Sequence, residues 1–329
     1  METYKITLKI KSSIITPFQS DTIFGSFCWA LKYLKGEEEL EKFLTQYSKT
    51  PPLIVSNGFP EGFFPRPILK PLSHQQSKQL IKKNYGTEKK NLIRGLDNLK
   101  TIKKQKYISI ELFNELKENL SEYSLLDKLI QLRNSKQPRL VNILVFRNTI
   151  NRFTNTVISE GGFHPEEETF YPEDINISIF VKTDYFNLQE IKEIFDFIAH
   201  SGFGKSKSVG KGELSILNCE EYVLPHANNP NAFFTISSFV PKQDDPIHGY
   251  YSTMTKYGKL GGDYAKSAIP GFGMNPFKKP LLMFEDGSVF FDSEIKEYYG
   301  RLISQIHMDK KIKHCGYAFP IGVKVNENL

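Results

Sequence analysis

The first residues alternate between apolar and polar: Tyr4, Ile6, Leu8 and Ile10 are interleaved with Lys5, Thr7, Lys9 and Lys11. A period of two predicts a strand with one buried face. After a turn at Thr16-Pro17 the period lengthens. Ile23, Phe24, Phe27, Cys28, Leu31 and Leu34 fall on one side of a helix that Ser20 or Asp21 is placed to cap and Gly36 to end. Alternation returns at Val141, Ile143 and Val145 and again at Ile175, Ile177, Ile179 and Val181, which predicts a strand pair bracketing residues 141–182 with a projecting polar hairpin between. Asn187 and Glu190 have the spacing of a capping box, opening a helix to His200 with Leu188, Ile191, Ile194, Phe195 and Ile198 on one side. A strand over Gly212–Leu217 follows. Strand, helix, hairpin, helix, strand is the split βαβ plan of ferredoxin-like α+β domains, here with an insertion after the first helix.

Other stretches lack a clear period. Six prolines between Thr50 and Leu72 exclude a regular helix and predict a loop pinned to a surface. Basic residues dominate 77–106, which reads as a mobile insertion, either a solvated loop or an RNA contact. The Pro-, Asn- and His-rich segment 222–231 reads as a linker to a second half. There Phe233–Val240 predicts a strand, Leu281–Phe284 and Val289–Phe291 a hairpin about Glu285-Asp286-Gly287-Ser288, Ile295–Ile306 a helix, and a last strand ends at Val325. The expected organisation is therefore residues 1–221, carrying an insertion over about 50–140 and a hairpin over about 146–175, followed by residues 222–329.

Composition adds exclusions. With 329 residues, 40% of them hydrophobic, the chain can bury a sizeable core, which argues against disorder. A net charge of +6 does not distinguish an RNA binder from any other basic protein, so the placement of the charge matters more than its sum. Cys28, Cys219 and Cys315 stand far apart, predicting neither a zinc site nor a disulfide framework and fitting a reducing cytoplasm. The opening METYKITLKIKSS lacks the apolar run of a signal peptide, and no stretch suits a membrane span. Neither a metal nor a cofactor is expected.

Two strings carry chemistry. GFGKSKSVGKG, Gly202 to Gly212, lies between the predicted helix and strand. Its glycines, Gly204 and Gly210 among them, permit positive φ and close backbone approach to an anion, while Lys205, Lys207 and Lys211, with Ser208, supply charge and hydrogen bonds for phosphates. It is not a Walker loop, since Ala199 stands where the first glycine is required. A plain flexible connection is the alternative. FRNTINRFTNTV, residues 146–157, sets Arg147, Asn148, Asn151 and Arg152 on a hairpin arm, and Phe153 is placed either to stack on a base or to anchor the hairpin. The stretches Lys259–Gly273 and Cys315–Val323 repeat the glycine, aromatic and basic mix and read either as turns or as continuations of a groove.

These strings, with PFQSDTIFGSFCWALKYL, FPEGFFPRPIL and the terminal GYAFPIGV, resemble in order and over nearly the whole chain the fourth subunit of Csm complexes, type III-A CRISPR effectors of the RAMP superfamily. The likeness is weakest across residues 75–140. It implies tandem ferredoxin-like (RRM-like) domains with a protruding hairpin thumb and a non-catalytic role at the repeat-derived 5′ tag of the crRNA. It also implies contacts with the large polymerase-palm subunit and the first backbone RAMP subunit. By the same resemblance Arg147, Asn148, Asn151 and Arg152 face RNA from the thumb, Lys205, Lys207, Ser208 and Lys211 face it from the glycine loop, and Ser20, Asp21 and Thr22 lie near the same groove.

Two other readings stay open. A metal-independent endoribonuclease of the RAMP superfamily would use His200 or Asp21, although His200 also fits a helix terminus and Asp21 an N-cap. A pure scaffold would bind proteins and no RNA. The acidic run His164–Glu168 offers carboxylates to a cation, but at an expected thumb tip it reads rather as exposed or facing a partner.

Overall fold

A computed structural model describes residues 1–132, 137–158, 162–262, 264 and 275–326. It is a mixed helix and sheet fold with several small antiparallel sheets. The first strand, β1 (Glu2–Ile10), leads into α1 (Ser20–Lys35) and α2 (Glu37–Gln46), which turn at Gly36, where φ is 92°. Three short strands follow, β2 (Leu53–Val55), β3 (Phe59–Pro60) and β4 (Phe63–Pro65), then α3 (His74–Tyr85), α4 (Lys89–Lys103), β5 (Tyr107–Ser109), α5 (Ile110–Leu116) and α6 (Glu122–Gln131). The hairpin arm comprises β6 (Val141–Asn148), β7 (Ile150–Asn151), β8 (Thr156–Val157) and β9 (Phe163–Phe170). Next come β10 (Asn176–Thr183), α7 (Leu188–Ser201) and β11 (Leu214–Glu221). The remaining strands are β12 (Ala232–Thr235), β13 (Gly249–Tyr250), β14 (Thr253–Lys256), β15 (Leu281–Phe284), β16 (Val289–Phe291), β17 (Tyr299–Ile303), β18 (His314–Ala318) and β19 (Pro320–Val323).

The first sheet runs β11-β1-β10-β2, with β3 also paired to β10, and every pairing is antiparallel. Tyr4, Ile6 and Leu8 stand opposite Val181, Ile179 and Ile177, so the alternation in the sequence becomes one apolar face. Ile191, Ile194, Phe195 and Ile198 of α7 belong to the same core, and Asn187 with Glu190 forms the expected capping box. The second sheet runs β13-β16-β12-β19. Between the sheets, Phe64 meets Phe180 of β10, Phe113 of α5 and Phe234 of β12, with ring centroids 5.7, 5.4 and 6.3 Å apart. The insertion therefore seals the junction between the two sheets.

Several expectations are corrected. β10 pairs in the sheet with β2 and β3, not with residues 141–145; β6 instead pairs with β9 along Val141–Phe170 to Asn148–Phe163, and the thumb begins five residues before the expected start. Alternation alone gives no partner, and here the partner of β10 comes from the proline-rich segment. Within that segment Leu53–Val55, Phe59–Pro60 and Phe63–Pro65 are mostly buried strand and not surface loop: Pro60 can sit opposite Ile177 because the ladder bonds there come from neighbours, with the Glu61 N–H donating to the Asn176 carbonyl at 2.9 Å. The basic 77–106 segment is two helices. Ser73 and Gln76 cap α3, and Leu80, Ile81, Leu99 and Ile102 are buried, so its sparse apolar residues are enough to dock it. Ile295–Ile306 is no helix; Gly300, at φ 88°, sits in β17, where its missing side chain lets the Gly316 carbonyl approach. Glu285–Ser288 does turn the chain, but β15 pairs with β14 while β16 joins β12, so the flanks diverge into different sheets. The strand expected over Phe233–Val240 stops at Thr235. Cys315–Val323 is β18 and β19, wholly buried, and therefore not a groove wall. Of Lys259–Gly273, residues 263 and 265–273 lie outside the described residues.

Candidate nucleic-acid interface

The glycine loop is closed at its neck and open at its tip. Gly202 ends α7 with φ 76°, and Phe203 turns inward to stack on Phe18, centroids 4.6 Å apart. The Phe203 N–H donates to the Gly212 carbonyl at 2.8 Å and the Gly212 N–H to the Ser13 carbonyl at 3.0 Å. Gly204, at φ 80°, rests on Thr16, where a Cβ would come within 2.6 Å; the next residue, Lys205, donates its N–H to Thr16 Oγ1 at 2.9 Å. Ser206 and Gly210 take left-handed backbone on either side of a single 3₁₀ turn, Lys207–Val209, which is exposed. Residues 12–18 thus form the floor beneath the loop.

The thumb base meets this loop through buried charge. In β6 and β9, Arg147, Glu166 and Glu168 share one face, because strand side chains alternate. Arg147 places Nε 2.7 Å from Glu166 Oε2 and Nη2 2.5 Å from Glu168 Oε1. From the loop, Lys205 reaches Glu166 at 2.5 Å and Lys211 reaches Glu168 at 2.6 Å. Ser13 donates to Glu168 Oε2 at 2.6 Å and accepts from Lys211 at 2.8 Å. The carboxylate side chains are only 5% and 1% exposed. The Lys205 ammonium is the main reason that Glu166 is held below the usual carboxylate range. For Glu168 burial pushes upward, yet hydrogen bonds from Lys211, Ser13 and Arg147 prevail and its pKa also falls. Both are ionised at neutral pH, so two anions sit among three cations. The His164–Glu168 run is accordingly at the thumb base and not at its tip, with only Glu167 of the three acids turned to solvent.

The expected RNA-facing residues of the thumb and loop fall into four groups. Arg147, Lys205 and Lys211 are joined in this network. Asn148 lies on the opposite face of the hairpin from Arg147, beside exposed Phe146 and Phe163. At the tip, Asn151 uses Oδ1 to accept from the Phe153 N–H at 2.9 Å, Asn155 takes φ 53°, and the Phe153 ring is 99% exposed, which rules out a core-anchor role. Arg152, Lys207 and Ser208 are exposed and have no side-chain partner among the described residues.

The start of α1 lies beyond the floor, tied to the second half. Gln19 is the N-cap residue and no side chain caps the helix, contrary to the capping role expected of Ser20 or Asp21. Ser20 is buried, its N–H donating to Asn57 Oδ1 at 2.8 Å and its hydroxyl to the Ser238 carbonyl at 3.3 Å, so its side chain faces protein. Asp21 is paired at 3.0 Å with Lys256 of β14, which also donates to Thr22 Oγ1 at 3.3 Å and to Gln19. His314 lies 3.9 Å from Asp21, but burial pulls its pKa down to about 4, so the imidazole is neutral at pH 7 and the contact is not an ion pair.

Asn57 also donates to Asp286 at 2.9 Å. Burial raises the Asp286 pKa to about 6, against hydrogen bonds that favour the anion. A carboxyl with a raised folded-state pKa favours the fold fully below its unfolded value, near 4, and that contribution is lost as pH rises through about 6. Asp286→Asn is therefore expected to raise the melting temperature at pH 7 and to flatten its dependence between pH 4 and 7. Thermal melts across that range measure it, and an unchanged profile would refute the assignment.

No family model matches the sequence, and no curated protein matches it. The fold does have counterparts. A chain of the Csm3–Csm4 subcomplex of the type III-A CRISPR-Cas interference complex superposes with a TM-score of 0.60 at 14% identity, over 98% of this chain and 100% of that one. A chain of a Csm1–Csm4 cassette in complex with AMPPNP gives 0.57 at 15% identity over 100% of both chains, and one from a cassette with pppApA gives 0.56 at 14% over 100% of both. Csm4 is the subunit common to these assemblies. This chain has the Csm4 fold. Within that fold, two polar junctions are built from this chain's own side chains: the thumb-base network and the Asp21–Lys256 pair. Sequence reasoning missed Ser13, Thr16, Phe18, Glu166, Glu168 and Lys256. The i, i+2 spacing of Glu166 and Glu168, read as strand, could have placed both on one face; Lys256 carries no local signal.

Proposed function

We propose that this chain is a non-catalytic crRNA-binding subunit of a type III-A CRISPR effector complex. In this reading it caps the guide at its repeat-derived 5′ tag and links the large polymerase-palm subunit to the backbone filament. The observation that carries the reading is the full-length Csm4 fold, matched in assemblies that pair Csm4 with two different subunits. We infer a ferredoxin-like unit over 1–221 and a second unit over 222–329 that, among the described residues, is built from β12–β19 without an α-helix. For the first, the antiparallel order β11-β1-β10-β2 with α1 and α7 supports the split βαβ plan. Lys207, Ser208, Arg152 and Phe153 are the foremost RNA contacts, because they are exposed and without a side-chain partner among the described residues, while Arg147, Lys205 and Lys211 line the path between loop and thumb. Cleavage would call on His200 or Asp21. His200 turns Nδ1 to the Asp196 carbonyl of its own helix at 2.7 Å, and Asp21 is occupied by Lys256, which favours binding over hydrolysis.

The test incubates the purified chain with labelled single-stranded repeat RNA. Retention is expected to fall steeply with salt, and the RNA to be recovered intact. Cleavage that His200→Ala or Asp21→Ala abolishes would instead establish the ribonuclease. Lys207→Ala with Arg152→Ala is expected to lower the slope of log affinity against log salt by about 0.7 per lost phosphate contact. The melting temperature should hold, since neither side chain has a partner to lose among the described residues. An unchanged slope would remove both residues from the interface.

A further inference from the structure

We propose that Glu166 and Glu168 are positioning residues that fix the thumb at a set angle to the glycine loop, so that one RNA strand meets two pre-aligned half-sites. The proposal rests on the RNA-binding reading for its consequence, though the clamp itself is a property of the free chain. Both carboxylates are nearly inaccessible, so they cannot be a surface that RNA or a partner reads. Each bridges the thumb to the loop: Glu166 between Arg147 and Lys205, Glu168 between Arg147 and Lys211. Arg147 is the shared element, its planar fork spanning both acids in a way one ammonium could not. Besides this network, backbone bonds tie the base down, Ile14 and Thr169 exchanging N–H to carbonyl bonds at 2.9 and 2.8 Å. That bridge, with Tyr171 edge-on to Phe18 at 6.3 Å, forms a narrow hinge about which a ribbon as long as β6–β9 could swing. The acids close the second side of the hinge.

Anions beside a polyanion's path lower the local positive potential, so their presence needs a compensating gain. Rigidity supplies it. When two half-sites are held in register, the second contact forms at high effective concentration, whereas a swinging thumb dilutes it. The benefit goes only to RNA long enough to touch both.

The test uses the full chain with Glu166→Gln and Glu168→Gln together, and as a second variant Arg147→Lys, which keeps every charge but cannot span both acids. The probes are labelled single-stranded repeat RNAs of about 4 and about 16 nucleotides, the range over which one module or an extended groove is filled. The Gln variant is expected to lose about tenfold in affinity for the long RNA and almost nothing for the short one, and Arg147→Lys is read by thumb exchange alone. Hydrogen exchange should quicken in residues 141–148 and 163–170 while α7 and β1 stay protected. Equal long-RNA affinity with unchanged thumb exchange would overturn the proposal. So would tighter binding by the Gln variant, which would make the acids charge masks. If the wild-type chain retains neither RNA, the functional reading fails, and thumb exchange alone still decides whether the acids hold the hinge.

Discussion

Gly212→Ala should abolish retention of repeat RNA while leaving every lysine in place. At φ 71° an alanine pays the left-handed penalty of about 1–2 kcal/mol. Its Cβ would also stand 2.0 Å from the Phe203 carbonyl oxygen, a backbone atom that cannot swing aside. Relief requires opening the neck, with loss of the Phe203–Gly212 and Gly212–Ser13 bonds and of the Phe203 stack on Phe18. Lys205 and Lys211 then lose their register with the thumb. Gly210→Ala is the control: φ is 82° there, yet nothing lies within 4 Å of the added carbon, so only the conformational term applies. RNA retention and thermal melts of the two variants separate a structured loop from a flexible one. Equal behaviour would show that the loop works as loose charge.

Phe64→Ala is expected to cost about 3–5 kcal/mol, the range for removing a fully buried aromatic ring. Its ring touches the first sheet, α5 and the second sheet at once, so the loss should fall on both halves. One shifted transition in thermal or denaturant unfolding is the predicted result. Two transitions, only one of them moved, would mean that the halves unfold separately and that the insertion belongs to one alone. Phe233 offers the contrast, stacked on Tyr299 at 3.9 Å inside a smaller cluster of the second half.

The elements legible in the sequence were those whose cause lies within a few residues. β1 follows from alternation, α1 from its stripe and Gly36, and α7 from the Asn187–Glu190 box, each of which the structure reproduces. Misreadings arose where a local signal was faint or shared. The insertion helices bury few side chains, so their apolar period was too faint to read as helix, and the Ser73–Gln76 capping box went unread. Prolines at Thr50–Leu72 read as loop because nothing local reveals that β10 needs an edge partner that contributes few donors.

The glycine loop and the hairpin arm were visible as strings, and their composition pointed to a polyanion. Which of their cations stand free was decided only by tertiary structure. Lys211 and Glu168 are 43 residues apart, and Lys256 and Asp21 are 235 apart. By itself the sequence determined β1, α1, α7 and the supply of charge, because these depend on near neighbours along the chain. The fold alone decided that Arg147, Lys205 and Lys211 meet buried carboxylates while Arg152 and Lys207 meet water, since a lysine has the same side chain whether its counter-ion is a phosphate or a glutamate brought from far along the chain.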